Sequence, residues 1–187
     1  MLLGVVLFIV VIFIVLILFG LYLVKMYNNL ITLGERVNNG KAQIATQIES
    51  RYDAVKNLID ATKQYSKHES ETLEKVVSQR VNINQNSSMK FIEEQNDQLN
   101  NVVGRLIAIS ESYPELKASS VYQTTMENVD KYENNVRHSR MIYNDTVTRF
   151  NRALLVFPTN ILAKFFGFVS KEYFESTETK QEMPSWD

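Results

Sequence analysis

The pattern of apolar and polar positions changes once along this chain, near Val24. From Leu2 to Val24 the run LLGVVLFIVVIFIVLILFGLYLV holds no Asp, Glu, Lys or Arg. A helix that crosses a ~30 Å hydrocarbon layer needs roughly 20 apolar residues, and it satisfies its backbone polar groups internally. The run therefore predicts a transmembrane anchor bounded by Leu2 and Val24. A cleaved signal peptide would show a positive n-region, an apolar core of about 7–15 residues and a small-x-small cleavage site. No Lys or Arg precedes this core, the core is longer, and no Ala-x-Ala-like site follows. A retained anchor is expected. Lys25, Arg36 and Lys41 follow the span. Positive charge marks the cytoplasmic side, so a single-pass topology is predicted, with the N-terminus outside and the remainder cytoplasmic.

After the span the period becomes helical and amphipathic. Leu30, Leu33, Val37, Ile44, Ile48, Tyr52, Val55 and Ile59 recur at helical spacings, which puts them on one face. No Pro or Gly-Ser linker intervenes, so one helix is predicted from the membrane to about Tyr65. Asn38-Asn39-Gly40 is its weak point, since Gly costs about 1 kcal/mol relative to Ala in a helix. Ser66 to Ser70 reads as a turn, with Ser70 capping a second helix that faces Leu73, Val76 and Val77 inward. Asn82 to Ser88 is polar and turn-rich. A third helix carries Phe91, Ile92, Leu99, Val102, Val103, Leu106 and Ile109, and ends at Tyr113-Pro114, because the residue before proline avoids the α region.

The last long helix begins near Ser119 or Ser120. Tyr122, Val129, Val136, Tyr143 and Phe150 fall at successive heptad steps, with Met126, Val147 and Leu154 in a neighbouring row. Such a pattern predicts helix-on-helix packing of the coiled-coil kind. Pro158 stops it. Neither strand alternation nor a long internal repeat appears. The predicted fold is all-α: an N-terminal transmembrane helix continuing into an antiparallel up-and-down four-helix bundle. The expected division is an anchor over 1–25, a bundle over 26–157, and an apolar Phe-rich segment with a polar tail over 158–187.

Composition narrows the partners. The chain has 20 basic and 21 acidic residues and a net charge of −1. That balance argues against a nucleic-acid binder and against a polybasic lipid-surface module. Cysteine is absent, which excludes disulfides, thiolate metal sites and a cysteine nucleophile.

Candidate chemistry is sparse. His68-Glu69 could bind metal or move protons, but a zinc helix of the H-E-x-x-H kind needs histidine where Thr72 stands. His138, the other histidine, has only charged and polar neighbours. Glu93, Glu94 and Asp97 lie within one helical turn, yet no Glu-x-x-His accompanies them, as a di-iron bundle requires. They read as a solvated face. His68 is expected at a helix corner, with Glu69 near a helix N-terminus, where the dipole favours a carboxylate. Arg51, Arg80, Arg105 and Arg140 sit in partly apolar helices, where a guanidinium holds a carboxylate or snorkels. Arg51 is paired here with Glu49 or Asp53, and Arg140 with Tyr143 and Asn144. Phosphate loops and nucleophile elbows are missing. Neither catalytic activity, cofactor, metal, nor small-molecule substrate is expected.

Leu154 to Val169 is very apolar, with Phe157, Phe165, Phe166 and Phe168 and one charge at Lys164. If the last helix returns toward the membrane, this stretch arrives near the bilayer. It then has two readings: an interfacial anchor or docking patch, or a plug for the open end of the bundle.

Several blocks together resemble the LemA family. They are Tyr27-Asn28-Asn29-Leu30, Arg51-Tyr52-Asp53 through Asn57-Leu58, Lys63 to Glu69, Tyr113 to Lys117, Arg140 to Asn144 with Phe150-Asn151, and Phe157-Pro158 with Phe174-Glu175. They stand in the family's order. The chain departs from the pattern at Lys56, where the family usually has proline, and at Asn39-Gly40-Lys41, where Ala or Trp is usual. The resemblance implies a bacterial single-pass membrane protein with a helical bundle and no assigned catalysis. It also implies relatives that form magnetosome membranes, and others encoded beside membrane metalloproteases. The expected role is a scaffold or adaptor at the bacterial cell membrane, with the lipid bilayer and either other copies or other membrane proteins as partners. A membrane-shaping homo-oligomer, an adaptor of a membrane metalloprotease, and a metal-dependent or acid-base enzyme are the rivals.

Overall fold

The structure, a computed structural model, describes residues 2–78, 83 and 87–175. Arg80, most of the expected 82–88 turn and the polar tail after Glu175 lie outside the described residues. In chain order the elements are α1 (Leu2–Thr62), α2 (Lys67–Ser78), α3 (Met89–Ser112), α4 (Pro114–Ala118), α5 (Ser120–Leu155) and α6 (Thr159–Phe165). Among the described residues there is no strand, and the protein is all-helical.

The chain divides into two compact units. The anchor unit comprises the chain up to Val37 together with Thr146–Lys171; the second unit comprises Asn38–Asp145 and the chain from Glu172. Helices α1 and α5 contribute to both.

In the anchor unit, α1 is long and apolar enough to cross a membrane. Its side chains from Leu3 to Val24 are exposed except for the half-buried Leu23, whereas Met26, Leu30 and Val37 are buried. The change from all-round exposure to a one-sided stripe occurs inside one unbroken helix, as the absence of Pro and linker residues dictates. Phe150 of α5 is buried, and its ring lies so close to Gly34 that a Cβ there would sit 3.6 Å away.

In the second unit, the stripe continues through Ile44, Ile48, Tyr52, Val55 and Ile59, all buried. The α5 heptad row is buried there at Tyr122, Val129, Val136 and Tyr143. From α3, Ile92, Leu99, Val102, Val103 and Leu106 join this core. Two local expectations, the Ser70 cap and an inward Val76, are corrected, while α3 ends at Ser112 as the Tyr113-Pro114 pair predicts. α2 begins at Lys67, one turn before the expected Ser70 cap, because the Ser66 hydroxyl donates to Glu69 and the Ser66 carbonyl accepts from the Ser70 amide. The motif Ser66-x-x-Glu69 is thus the helix start, while Ser70 is buried against the Thr62 hydroxyl at 2.8 Å. Val76 faces outward, since only Leu73 and Val77 of the expected trio are buried. Pro114 does not merely end α3. It opens α4 as the first helical residue, the position where its missing N–H is harmless.

Candidate membrane-proximal site

α6 is short and ends by a recognisable device. Gly167 adopts φ +72°. Its amide donates to the Lys164 carbonyl at 3.3 Å, and the Phe168 amide donates to the Ala163 carbonyl at 2.9 Å. This is a Schellman termination, in which a left-handed glycine lets the chain turn back on its helix. The turn directs Phe168 inward: its ring centroid lies 6.0 Å from Tyr27 and 6.5 Å from Phe150. Phe166 packs at 4.7 Å from Tyr27. The four candidate phenylalanines therefore differ in role. Phe168 is half-buried, whereas Phe157 is 75% exposed, Phe165 82% and Phe166 51%.

A groove of about 550 Å³ lies between α1 and α6 within the anchor unit. Phe19, Tyr22, Val24 and Tyr27 form one wall; Ile161, Leu162, Phe165 and Phe166 form the other. No Asp, Glu, Lys, Arg or His side chain lines it, so its chemistry is that of an apolar ligand or of acyl chains.

Polar function in the second unit concentrates at two places. At the first, Arg51 is 1% exposed yet charged. It donates to Asn96 Oδ1 at 3.1 Å, Asn100 Oδ1 at 2.8 Å and Glu133 Oε2 at 3.1 Å. This corrects the local pairing with Glu49 or Asp53. Residues two apart on a helix face different ways, whereas α3 and α5 bring partners to the buried side. Burial holds the Arg51 pKa below its ordinary value, and Glu133 and Asp130 act against that shift. Beside it the Tyr52 hydroxyl donates to Gln95 at 2.9 Å. The arrangement ties α1, α3 and α5 together by charge-assisted bonds.

At the second place an extended segment follows α6 and docks on α5. Asn144 donates to the Phe174 carbonyl at 3.0 Å and accepts from the Phe174 amide at 2.9 Å. The Tyr143 hydroxyl donates to the Glu172 carbonyl at 2.7 Å. Phe174 is buried, and the Arg140 guanidinium stands over its ring at 5.8 Å. Arg140 thus works through Phe174. Burial pushes the Tyr143 pKa up to about 12. Glu93 is half-buried and accepts the Glu175 amide, so it is not merely part of a solvated face. In the anchor unit, Asn151 makes the same two-bond clamp on Lys171, at 2.9 and 2.8 Å.

His68 is exposed at the first turn of α2. Glu69 beside it is held below the ordinary carboxylate range, chiefly by the Ser66 hydroxyl. Arg105 and His138 are exposed. Among the described residues no group of three or more His, Cys, Asp or Glu is placed to hold a metal ion.

A match to the LemA family covers residues 40–187. The chain is 24% identical over 159 residues to protein LemA of Metamycoplasma hominis, which covers 82% of this chain and 71% of that protein. It is 32% identical over 87 residues to magnetosome protein MamQ 2 of Paramagnetospirillum magneticum, covering 46% of this chain but only 30% of that protein. Magnetosome protein MamQ of Magnetospirillum gryphiswaldense is 32% identical over 74 residues, covering 40% of this chain and 27% of that relative. Within a match of this breadth Arg140, Tyr143 and Asn144 meet the distant segment Glu172–Phe174, and Asn151 clamps Lys171: the chain belongs to the LemA family.

Proposed function

We propose that the chain is a non-catalytic, membrane-anchored helical scaffold or adaptor of the bacterial cell membrane, with its helices on the cytoplasmic side. The observation that carries this reading is α1 itself. Its exposed apolar run passes into a buried stripe with no linker between them. A flexible tether would let the chain beyond it wander, and no such tether intervenes in α1. In this reading α1, α2, α3 and α5 form an antiparallel four-helix bundle, and its exposed faces recognise other copies or other membrane proteins. The polar residues identified from the sequence support the reading, because Arg51, Arg140 and Asn144 spend their hydrogen-bonding and charge on internal partners.

A second reading, a homo-oligomeric assembly that shapes membrane, is favoured by the exposed apolar residues around α6. In-membrane crosslinking tests both. With a photo-crosslinking residue at Lys131, on the exposed side of α5, the scaffold reading expects a discrete adduct with a membrane protein or with the chain itself. A ladder of chain-only adducts would favour the assembly. A chain that forms no adduct at Lys131 or at a second exposed position such as Glu127 would count against both.

A further inference from the structure

We propose that α6 and the turns flanking it lie in the membrane interface as a second, in-plane contact with an anionic lipid leaflet. The proposal rests on the anchored reading above and adds a lipid ligand to it.

Depth is the first argument. α6 shares a groove with Phe19, Tyr22 and Val24. These belong to the uncharged run, which is about 34 Å long at 1.5 Å per residue, against a hydrocarbon layer of ~30 Å. Phe19 to Val24 is the last turn and a half of that run. A segment in contact with it sits where interfacial helices sit, about 5–10 Å into the headgroup and acyl boundary.

The second argument is the surface α6 shows. Leu155, Phe157, Ile161, Phe165 and Val169 are exposed and continue the exposed surface of the span. Water-facing patches of this kind are rare on monomeric domains; acyl chains are the environment already present at that depth.

Charge is the third argument, and it corrects an inference from composition. The near-neutral whole-chain balance conceals a segregation. The anchor unit carries Lys25, Arg36, Arg149, Arg152, Lys164 and Lys171 against Glu35 as its one acidic residue. The compensating acids all lie in the rest of the chain. Basic residues at headgroup level attract the anionic cytoplasmic leaflet, and an apolar segment with basic flanks is what partitions there.

The test uses the full-length chain in lipid nanodiscs. Trp186 is changed to Phe, and one tryptophan is introduced by Phe165→Trp or, as a control on α5, by Val121→Trp. The bilayers are phosphatidylcholine alone or phosphatidylcholine with phosphatidylglycerol, each with and without bromine on the acyl chains. The proposal predicts that the Phe165→Trp emission is blue-shifted and loses most of its intensity to brominated lipid, and that the control responds to neither. It further predicts stronger quenching with phosphatidylglycerol, lost in Arg152→Glu with Lys164→Glu while the helical circular dichroism is retained. Emission quenched by an aqueous quencher but not by bromine would overturn the insertion. A blue shift without bromine quenching, together with two chains per disc, would assign the surface to a second copy. Equal quenching in both lipids would overturn the anionic preference. If insertion fails while the Lys131 adduct persists, the scaffold reading stands without it.

Discussion

Asn144 satisfies both backbone hydrogen-bonding groups of Phe174, donating to its carbonyl at 3.0 Å and accepting from its amide at 2.9 Å. One planar amide thereby does what a neighbouring β-strand would do for an extended residue. The bonds hold the segment after α6 against α5 without regard to its side chains, and Phe174 adds the apolar burial. A buried backbone group left without its partner costs about 1–3 kcal/mol. Asn144→Leu is therefore expected to speed hydrogen exchange at the Phe174 amide and to lower the thermal midpoint. Unchanged exchange at Phe174 would show that the clamp is dispensable.

Arg51 and Glu133 differ in exposure, 1% against 36%, and this asymmetry sets their mutational costs. Removing Glu133 leaves a buried guanidinium less compensated. Removing Arg51 leaves a carboxylate that water still reaches. Replacement of a buried ionic group by an apolar one of similar volume is often neutral or stabilising. Glu133→Gln is thus expected to destabilise by about 1–3 kcal/mol, below the ~3–5 kcal/mol for a fully buried pair, and Arg51→Met by less. Denaturant midpoints of the two variants decide; the reverse order would place the stabilisation in the Asn96 and Asn100 bonds.

Tyr143 supplies a pH-dependent term. Its folded-state pKa is raised by burial to about 12 from 10.0, so the folded state keeps the proton that the unfolded chain releases. The contribution is fully present below pH ~10 and is lost as pH rises from there to about 12, since stability falls wherever the folded state binds more protons. Tyr143→Phe is expected to be somewhat less stable at neutral pH, through loss of the bond to the Glu172 carbonyl, and to lose less stability than the parent across that alkaline window. Parallel alkaline curves for the two proteins would contradict the assignment.

The fold was largely legible because its signals are local and periodic. The stripe from Leu30 to Ile59 and the row from Tyr122 to Phe150 report helix faces directly, and the structure buries them apart from the half-buried Leu33. What escaped were relationships without a period. Arg51 finds its partners 45, 49 and 82 positions away, and a search among sequence neighbours cannot reach them. The extended strap at Lys171 to Glu175 has no hydrophobic alternation, so only its asparagine clamps reveal it. The Ser66-x-x-Glu69 start of α2, for which Ser70 was expected instead, and the Gly167 stop of α6 were missed, although both follow known terminal patterns. Net charge misled because it averages a basic anchor unit with an acidic remainder.

The proposed cytoplasmic orientation rests on Lys25, Arg36 and Lys41, the basic residues that follow the span within about 20 residues. The absence of native cysteine makes the measurement clean. A cysteine introduced by Glu127→Cys, an exposed position, is expected to resist a membrane-impermeant thiol reagent in intact cells and to react after lysis. Ready labelling of intact cells would reverse the topology.

The scaffold reading stands or falls on what the intact chain assembles with. Full-length protein of 21.6 kDa, extracted from its own membrane in mild detergent, can be weighed by native mass spectrometry with everything that accompanies it. The account predicts a discrete assembly, containing several copies of the chain or one further membrane protein in fixed ratio. A chain that leaves the membrane only as a single copy, with lipid and detergent alone, would contradict it.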